Sequence, residues 1–160
     1  MLRLELTDDL LTGNTEIDRQ HRELFAWGNR ILFPESPQDE SKAFRHGMRF
    51  LAGYVREHFA AEEAAMRSAM LPGFEKHRTE HRRFRAELRQ LVVQAKAGGV
   101  DRTVQVRLHF LLNDWFVQHL RYWDKRLATA LHEEQDAGRE HGVPELKFMS
   151  TKAWARKGGG

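Results

Sequence analysis

The chain contains no cysteine among its 160 residues. This absence excludes disulfides, thiolate zinc sites, iron–sulfur clusters and cysteine nucleophiles. Any metal ion must therefore be held by imidazole and carboxylate groups, which suit iron, manganese, zinc or copper without selecting one of them.

Long apolar runs are also missing. No uncharged stretch approaches the roughly 18–20 residues that span a bilayer, and Glu5, Asp8 and Asp9 stand where a signal peptide needs apolar residues. We therefore expect a cytoplasmic protein without membrane insertion. Twenty-six basic and 23 acidic residues are interleaved along the chain, so the small net charge gives no indication of a nucleic-acid partner.

Hydrophobic residues recur at steps of three and four in four long segments, and strand patterns are scarce. The predicted helices cover about 15–32, from after Pro37 to about 70, about 74–97 and about 101–134. Proline and glycine separate them, at Pro34, Pro72 and Gly99. This pattern predicts an all-α, antiparallel up-and-down four-helix bundle over residues 1–134, followed by a C-terminal extension of unknown role over 135–160.

Seven polar residues fall on the predicted inward faces of these helices. They are His21, His58, Glu62, His77, His81, His119 and Asp124. Polar groups on core-facing positions are costly unless something pairs with them. A shared pair of metal ions would pair with all seven.

Their number and spacing point to two ions. If both carboxylates bridge, the five nitrogens divide three and two, which leaves an open position on the second ion. His119 and Asp124 are separated by five residues, about 140° around an ideal helix. We therefore expect either a local π-helical bulge there or an approach of Asp124 from the flank.

Four short motifs resemble the hemerythrin family, most closely its single-domain bacterial members, the bacteriohemerythrins. They are Ile17-Asp18-Arg19-Gln20-His21, His58-Phe59-Ala60-Ala61-Glu62-Glu63 with Met66, the pair His77 and His81, and Trp115-Phe116-Val117-Gln118-His119 followed by Asp124-Lys125. The resemblance covers about residues 10–132, and the ordered set is far more specific than any one motif.

This resemblance implies reversible dioxygen binding at a non-haem di-iron centre. His77, His81 and His119 would hold the coordinatively full iron, and His21 and His58 the open one. Glu62, Asp124 and a solvent-derived oxo or hydroxo group would bridge the two ions. The dioxygen pocket would be apolar, with a lining of Leu24, Phe59, Trp115, Phe116 and Leu120. A dry pocket disfavours release of a charged superoxide.

The resemblance favours an oxygen carrier or store, not an enzyme, working as a monomer with an unidentified protein recipient. Two alternatives use the same centre: an oxygen or redox sensor, and a di-iron enzyme that consumes peroxide or nitric oxide. Outside the centre, we interpret Glu63 as a surface carboxylate and Arg85 as part of a solvated helix face. His46, His109, His132 and His141 are interpreted as hydrogen-bonded or exposed residues without a metal role.

Overall fold

The computed structural model describes residues 1–36 and 40–136. Helix α1 spans Thr15–Leu32, α2 spans Glu40–Ser68 and α3 spans Phe74–Gly98, and a 3₁₀ turn, Asp8–Leu10, precedes them. Helix α4 runs over 102–136. These bounds lie close to the predicted ones. The extension predicted over 135–160 lies almost wholly outside the described residues. The division of the chain into a bundle over 1–134 and this extension therefore stays a prediction.

The four helices form a closed ring of neighbours. α1 packs against α2, α2 against α3, α3 against α4, and α4 against α1. The all-α four-helix bundle is therefore confirmed. Within the two described ranges, no helix is long and apolar enough to cross a membrane.

Helix α4 is not a uniform α-helix. Its α-helical parts Arg102–Phe110, Phe116–His119 and Lys125–Asp136 are separated by two π-helical segments, Leu111–Trp115 and Leu120–Asp124. The second segment is the bulge that the spacing of His119 and Asp124 predicts. The first was not anticipated, because no residue of Leu111–Trp115 breaks the hydrophobic pattern.

The π segments also decide which side chains of α4 face the core. Tyr122 continues the apolar stripe of α4 on an ideal α-helix, but its side chain is 54% exposed. A π turn adds a residue to the helical turn and so rotates everything after it. Here the rotation turns Asp124 inward and Tyr122 outward.

The start of α1 is held by two side chains. Asn14 is its N-cap and accepts hydrogen bonds from the backbone N–H groups of Glu16 and Ile17. The buried Asp18 carboxylate accepts hydrogen bonds from the Thr12 N–H at 2.7 Å and from the Gly13 N–H at 3.2 Å. This clamp fixes the helix turn that carries His21.

The buried apolar side chains form two clusters of unequal size. The larger one fills most of the bundle and includes Leu24, Leu51 and Leu108. The smaller one consists of Ala65, Met66, Leu127 and Leu131. The polar residues singled out in the sequence are absent from both clusters, although they are buried in the same bundle.

Helices α1 and α2 approach each other closely at Gly47. A Cβ atom built on Gly47 would overlap the side chain of Ile31. We expect Gly47→Ala to lower the free energy of unfolding by about 1–3 kcal/mol, because a packed core tolerates added volume poorly. The measurement is urea denaturation followed by circular dichroism.

Gly98→Ala is the matched control for this substitution. A Cβ at Gly98 meets nothing within 4 Å, so the exchange should raise stability by up to about 1 kcal/mol through helix propensity alone. Equal effects of the two substitutions would contradict the close packing at Gly47.

Candidate metal centre

The bundle brings all seven sequence-predicted polar residues into one buried cluster. α1 provides His21, α2 provides His58 and Glu62, α3 provides His77 and His81, and α4 provides His119 and Asp124. None is more than 3% exposed. Residues four apart on α2 and α3 stack one turn above each other, whereas α4 needs its π segment to bring Asp124 onto the same side as His119.

Three histidine rings converge on one point in the first half of the cluster. The Nε2 atom of His119 lies 3.0 Å from Nε2 of His77 and 3.1 Å from Nε2 of His81. Two nitrogens bound at right angles to one ion, each about 2.1 Å from it, lie about 3.0 Å apart. With Glu62, these histidines form a group whose donor atoms all lie within 4.8 Å of one another.

The second half of the cluster has fewer nitrogens. His21, His58, Glu62 and Asp124 form the second group of donor atoms within 4.8 Å of one another. The Nε2 atom of His21 lies 3.1 Å from Asp124 Oδ2, and that of His58 lies 3.2 Å from Glu62 Oε1. The division into three and two histidines matches the one expected from the sequence.

Each carboxylate reaches both halves with separate oxygens. Glu62 turns Oε1 toward His58 and Oε2 toward His81, which lies 3.2 Å away. Asp124 turns Oδ2 toward His21 and Oδ1 toward His119, which lies 3.1 Å away. Each carboxylate therefore lies between a histidine of one half and a histidine of the other.

The donor atoms point toward shared positions and not toward one another. Among the described residues, both oxygens of Glu62, both oxygens of Asp124 and Nε2 of His21 are buried and form no hydrogen bond of acceptable geometry. Buried polar atoms are almost always satisfied. Imidazole and carboxylate groups gathered in this way are a donor set for divalent cations, so the residues present fit a pair of metal ions.

Burial and neighbouring charges shift the pKa values of several of these groups in different directions. Burial lowers the pKa of His81, but Glu62 and Glu63 outweigh it and raise that pKa. Burial lowers the pKa of His21, and it lowers the pKa of His77 to about 4. Burial opposes ionisation of Glu62, but the neighbouring His58 outweighs it and holds the pKa of Glu62 well below its usual range. His21 and His77 are therefore neutral and the Glu62 carboxylate is ionised at neutral pH, which are the forms that bind metal.

Asp124 behaves in the same way. Burial and the adjacent Glu62 carboxylate raise its pKa, but His119 and His21 outweigh them, so the pKa of Asp124 lies below its usual range. Two negative charges therefore lie inside the bundle at neutral pH. Such charges are strongly destabilising when nothing neutralises them.

A carboxylate and a guanidinium support His81 from outside the cluster. The Nδ1 atom of His81 lies 3.0 Å from Glu63 Oε1, and the same oxygen accepts a hydrogen bond of 3.2 Å from Arg85. The side chain of Glu63 is only 15% exposed. The interpretation of Glu63 and Arg85 as merely solvated was therefore wrong. A helical pattern does not show that both of them turn toward His81.

His58 and His77 also contact side chains outside the cluster through their Nδ1 atoms. Nδ1 of His58 faces the side-chain oxygen of Gln20, and Nδ1 of His77 lies 2.8 Å from the sulfur of Met66. Such partners fix the orientation and tautomer of a ligating imidazole. Gln20 and Met66 both belong to the sequence motifs quoted above, although their contacts were not foreseen.

The five predicted pocket residues differ in their position relative to the cluster. Phe116 packs edge-on against His21 at 5.5 Å, and Phe59 stacks on His81 at 3.8 Å. Trp115 stacks on His119 at 4.6 Å and is partly exposed. Leu24 and Leu120 are fully buried in the larger apolar cluster.

The remaining histidines lie away from the centre. His46 and His132 are exposed, and His109 hydrogen-bonds the backbone oxygen of Leu2. These positions match the interpretation of the three residues as exposed or hydrogen-bonded. His141 lies outside the described residues.

The fold and cluster together define a four-helix-bundle protein whose buried histidines and carboxylates could hold metal ions. Residues 12–131 match the model of a protein family described as the hemerythrin HHE cation binding domain. The match covers well over half of the chain, and the chain therefore belongs to this family.

Several relatives carry the name bacteriohemerythrin. One from Pseudomonas paraeruginosa is 31% identical over 155 residues, which is 96% of this chain and 94% of the relative. One from Ralstonia nicotianae is 28% identical over 88% of this chain and 97% of its own length. One from Campylobacter jejuni is 24% identical over 76% of this chain and 90% of its own length. No solved structure matches the chain.

The contact between Glu63 and His81 leads to a prediction for Glu63→Gln. The exchange keeps the size of the side chain but removes the charge next to His81. We expect the affinity for ferrous iron to fall by about 10–100-fold, the usual effect of losing such an outer partner. The measurement is anaerobic competition against a coloured chelator.

Glu133→Gln is the control, because Glu133 is an exposed carboxylate on α4. This variant should bind iron as the parent protein does, and melting of both metal-free variants reports any loss of folding. Unchanged affinity in Glu63→Gln would show that the His81–Glu63 contact does not support the metal.

Proposed function

We propose that the protein binds dioxygen reversibly at a non-haem di-iron centre and serves as an oxygen carrier or store. The observation that supports this most directly is the division of five histidines into three and two around Glu62 and Asp124. Family membership supports iron as the metal, since the cluster itself accepts several cations. A pair of ferrous ions would supply the electrons that bind dioxygen reversibly.

The ligand assignment follows the distances. His77, His81 and His119 hold one ion, and His21 and His58 hold the other. Glu62 and Asp124 bridge the two ions together with a solvent-derived oxo or hydroxo group. The ion with two histidines has one protein nitrogen fewer, and this deficit leaves a position for dioxygen.

Apolar side chains surround the second ion. Phe116 packs against His21, and Leu24 lies one turn after His21 on α1; both are 0% exposed. With Phe59, Trp115 and Leu120 they would form the wall of the dioxygen pocket. The apolar side chains of Leu24 and Phe116 exclude water beside His21 and disfavour the departure of a charged superoxide, which would leave the iron ferric.

Binding without turnover is favoured by the nitrogen-rich donor set. Ferritin-like di-iron proteins use more carboxylates, including paired glutamates from several helices, whereas here only Glu62 and Asp124 lie among five histidines. We therefore propose a binding protein and not an enzyme, acting as a cytoplasmic monomer.

The test is the visible spectrum of the iron-loaded protein through one oxygen cycle. The protein is reduced without air, exposed to oxygen and returned to argon. We expect a charge-transfer band that appears with oxygen and disappears under argon. The matched variant Phe116→Ser, which puts a hydroxyl group beside His21, should convert faster to a form that argon no longer reverses.

Two outcomes would overturn the proposal. A band that forms but persists under argon in the parent protein would indicate irreversible oxidation and favour a sensor. Repeated turnover of peroxide or nitric oxide with a reductant, without a reversible band, would identify an enzyme.

A further inference from the structure

We propose that the metal centre is re-reduced by an acidic one-electron donor protein, which docks on a basic groove beside Trp27. Electrons would then pass through a column of stacked rings to His58. We name Trp27, Phe50, Tyr54 and His58 the aromatic column, and the inference rests on the iron centre proposed above.

The aromatic column is continuous from ring to ring. Trp27 stacks on Phe50 with ring centroids 4.5 Å apart and planes 19° apart. Phe50 stacks on Tyr54 at 5.7 Å and 27°, and Tyr54 stacks on His58 at 5.3 Å and 24°. Electron tunnelling slows most steeply across empty gaps, so rings in successive contact provide an efficient route.

The column begins at the surface and ends at the cluster. Phe50 and Tyr54 are 7% and 9% exposed and follow one face of α2 at four-residue spacing toward His58. Trp27, on α1, is partly exposed. The inner end of the aromatic column is His58, which belongs to the group with two histidines. Dioxygen is proposed to bind at this group, and oxidation to the ferric state would begin there.

A groove of about 700 Å³ opens beside the outer end of the column. Trp27 forms part of its wall, and Arg3, Arg30 and Lys42 carry positive charge along it. No carboxylate in the described parts of the chain forms an ion pair with these three cations. The lining also contains one carboxylate, Glu35, so the three cations leave the groove with an excess of positive charge. Such an excess attracts partners of the opposite sign and speeds their association.

The rings of the groove favour a protein over a flat cofactor as the occupant. The guanidinium of Arg30 already lies 4.9 Å from the Trp27 centroid, and that of Arg3 lies 5.1 Å from the Phe33 centroid. A flavin that stacked on either ring would have to displace a cation–π contact. Carboxylates on a protein surface can instead pair with the outer N–H groups of both arginines.

The electron transfer makes and breaks no bond. Each molecule of reduced donor gives up one electron and becomes oxidised, and each ferric ion takes up one electron and becomes ferrous. Two donor molecules therefore restore one centre. An oxygen carrier needs such a reaction because iron that has lost an electron to dioxygen binds it no longer.

Trp123 offers a competing route and supplies the control. It is partly exposed and stacks on His77 at 4.9 Å and 17°, in the group with three histidines. It does not line the basic groove. Replacing Trp27 and Trp123 separately therefore shows whether electrons enter through the aromatic column or through the tryptophan that stacks directly on a histidine of the cluster.

The experiment follows anaerobic reduction of the ferric, iron-loaded protein by stopped-flow absorbance. The probe is a reduced plant-type ferredoxin, an acidic iron–sulfur protein of low potential. We expect Trp27→Leu to slow the reduction severalfold and Trp123→Leu to leave it unchanged. Lys42→Glu, at an exposed position of α2, should lower the second-order rate by about tenfold at low ionic strength.

Dithionite is the control reductant, since it needs no docking surface. It should reduce the parent and all three variants at the same rate. Equal ferredoxin rates for Trp27→Leu and the parent, a slower rate only in Trp123→Leu, or no effect of Lys42→Glu would overturn the proposal. Reduction by free reduced flavin mononucleotide, with the same dependence on Lys42, would overturn the choice of a protein partner.

This test stands apart from the test of dioxygen binding. It begins from ferric protein and uses no oxygen. A column-dependent reduction in a protein without a reversible oxygen band would refute the carrier and keep the electron route. A reversible oxygen band in a protein whose reduction does not depend on Trp27 would refute the electron route and leave the carrier function standing.

Discussion

Two ionised carboxylates inside a helical bundle are the constraint on which the rest of the structure depends. Glu62 and Asp124 are 0% exposed, and the pKa of each is held below its usual range. Burying a charge is strongly unfavourable unless it is neutralised. Burial keeps His21 and His77 neutral, so these two histidines supply no compensating charge. Bound divalent cations would do so, and metal binding would then contribute to the stability of the fold.

The backbone of the bundle is arranged to meet this requirement. On α2 and α3 the ordinary four-residue spacing is sufficient, and both remain regular helices. On α4 the five-residue spacing of His119 and Asp124 requires a π segment, Leu120–Asp124, which gives up regular α-helical hydrogen bonding. π segments of this kind are frequent at functional sites because they turn a chosen side chain inward. Outside the cluster, the Arg85–Glu63–His81 chain fixes one imidazole with charge, whereas Nδ1 of His58 faces the neutral side chain of Gln20.

The sequence predicts much of this arrangement because its signals are periodic. The four helices follow from hydrophobic spacing, and the inward position of His77 and His81 follows from their place between Phe74 and Phe84. The angle between His119 and Asp124 on an ideal helix predicted either a π segment or an approach of Asp124 from the flank, and the structure has the π segment. Contacts between helices could not be inferred in this way. Glu63 and Arg85 have the composition of a solvated surface, and only the packing of α2 against α3 shows that both turn toward His81. The stacking of Trp27 on Phe50 joins α1 to α2 and has no signal in either helix.

Magnetic coupling between the two ions tests the central claim most directly, because only bridged ions are strongly coupled. The measurement is iron content together with electron paramagnetic resonance of the ferric protein. If Glu62 and Asp124 bridge two ions, the protein contains two irons per chain, and their spins cancel, so that almost no ferric signal remains at low temperature. One iron per chain, or an isolated high-spin ferric signal that accounts for all the iron, would contradict the bridged centre.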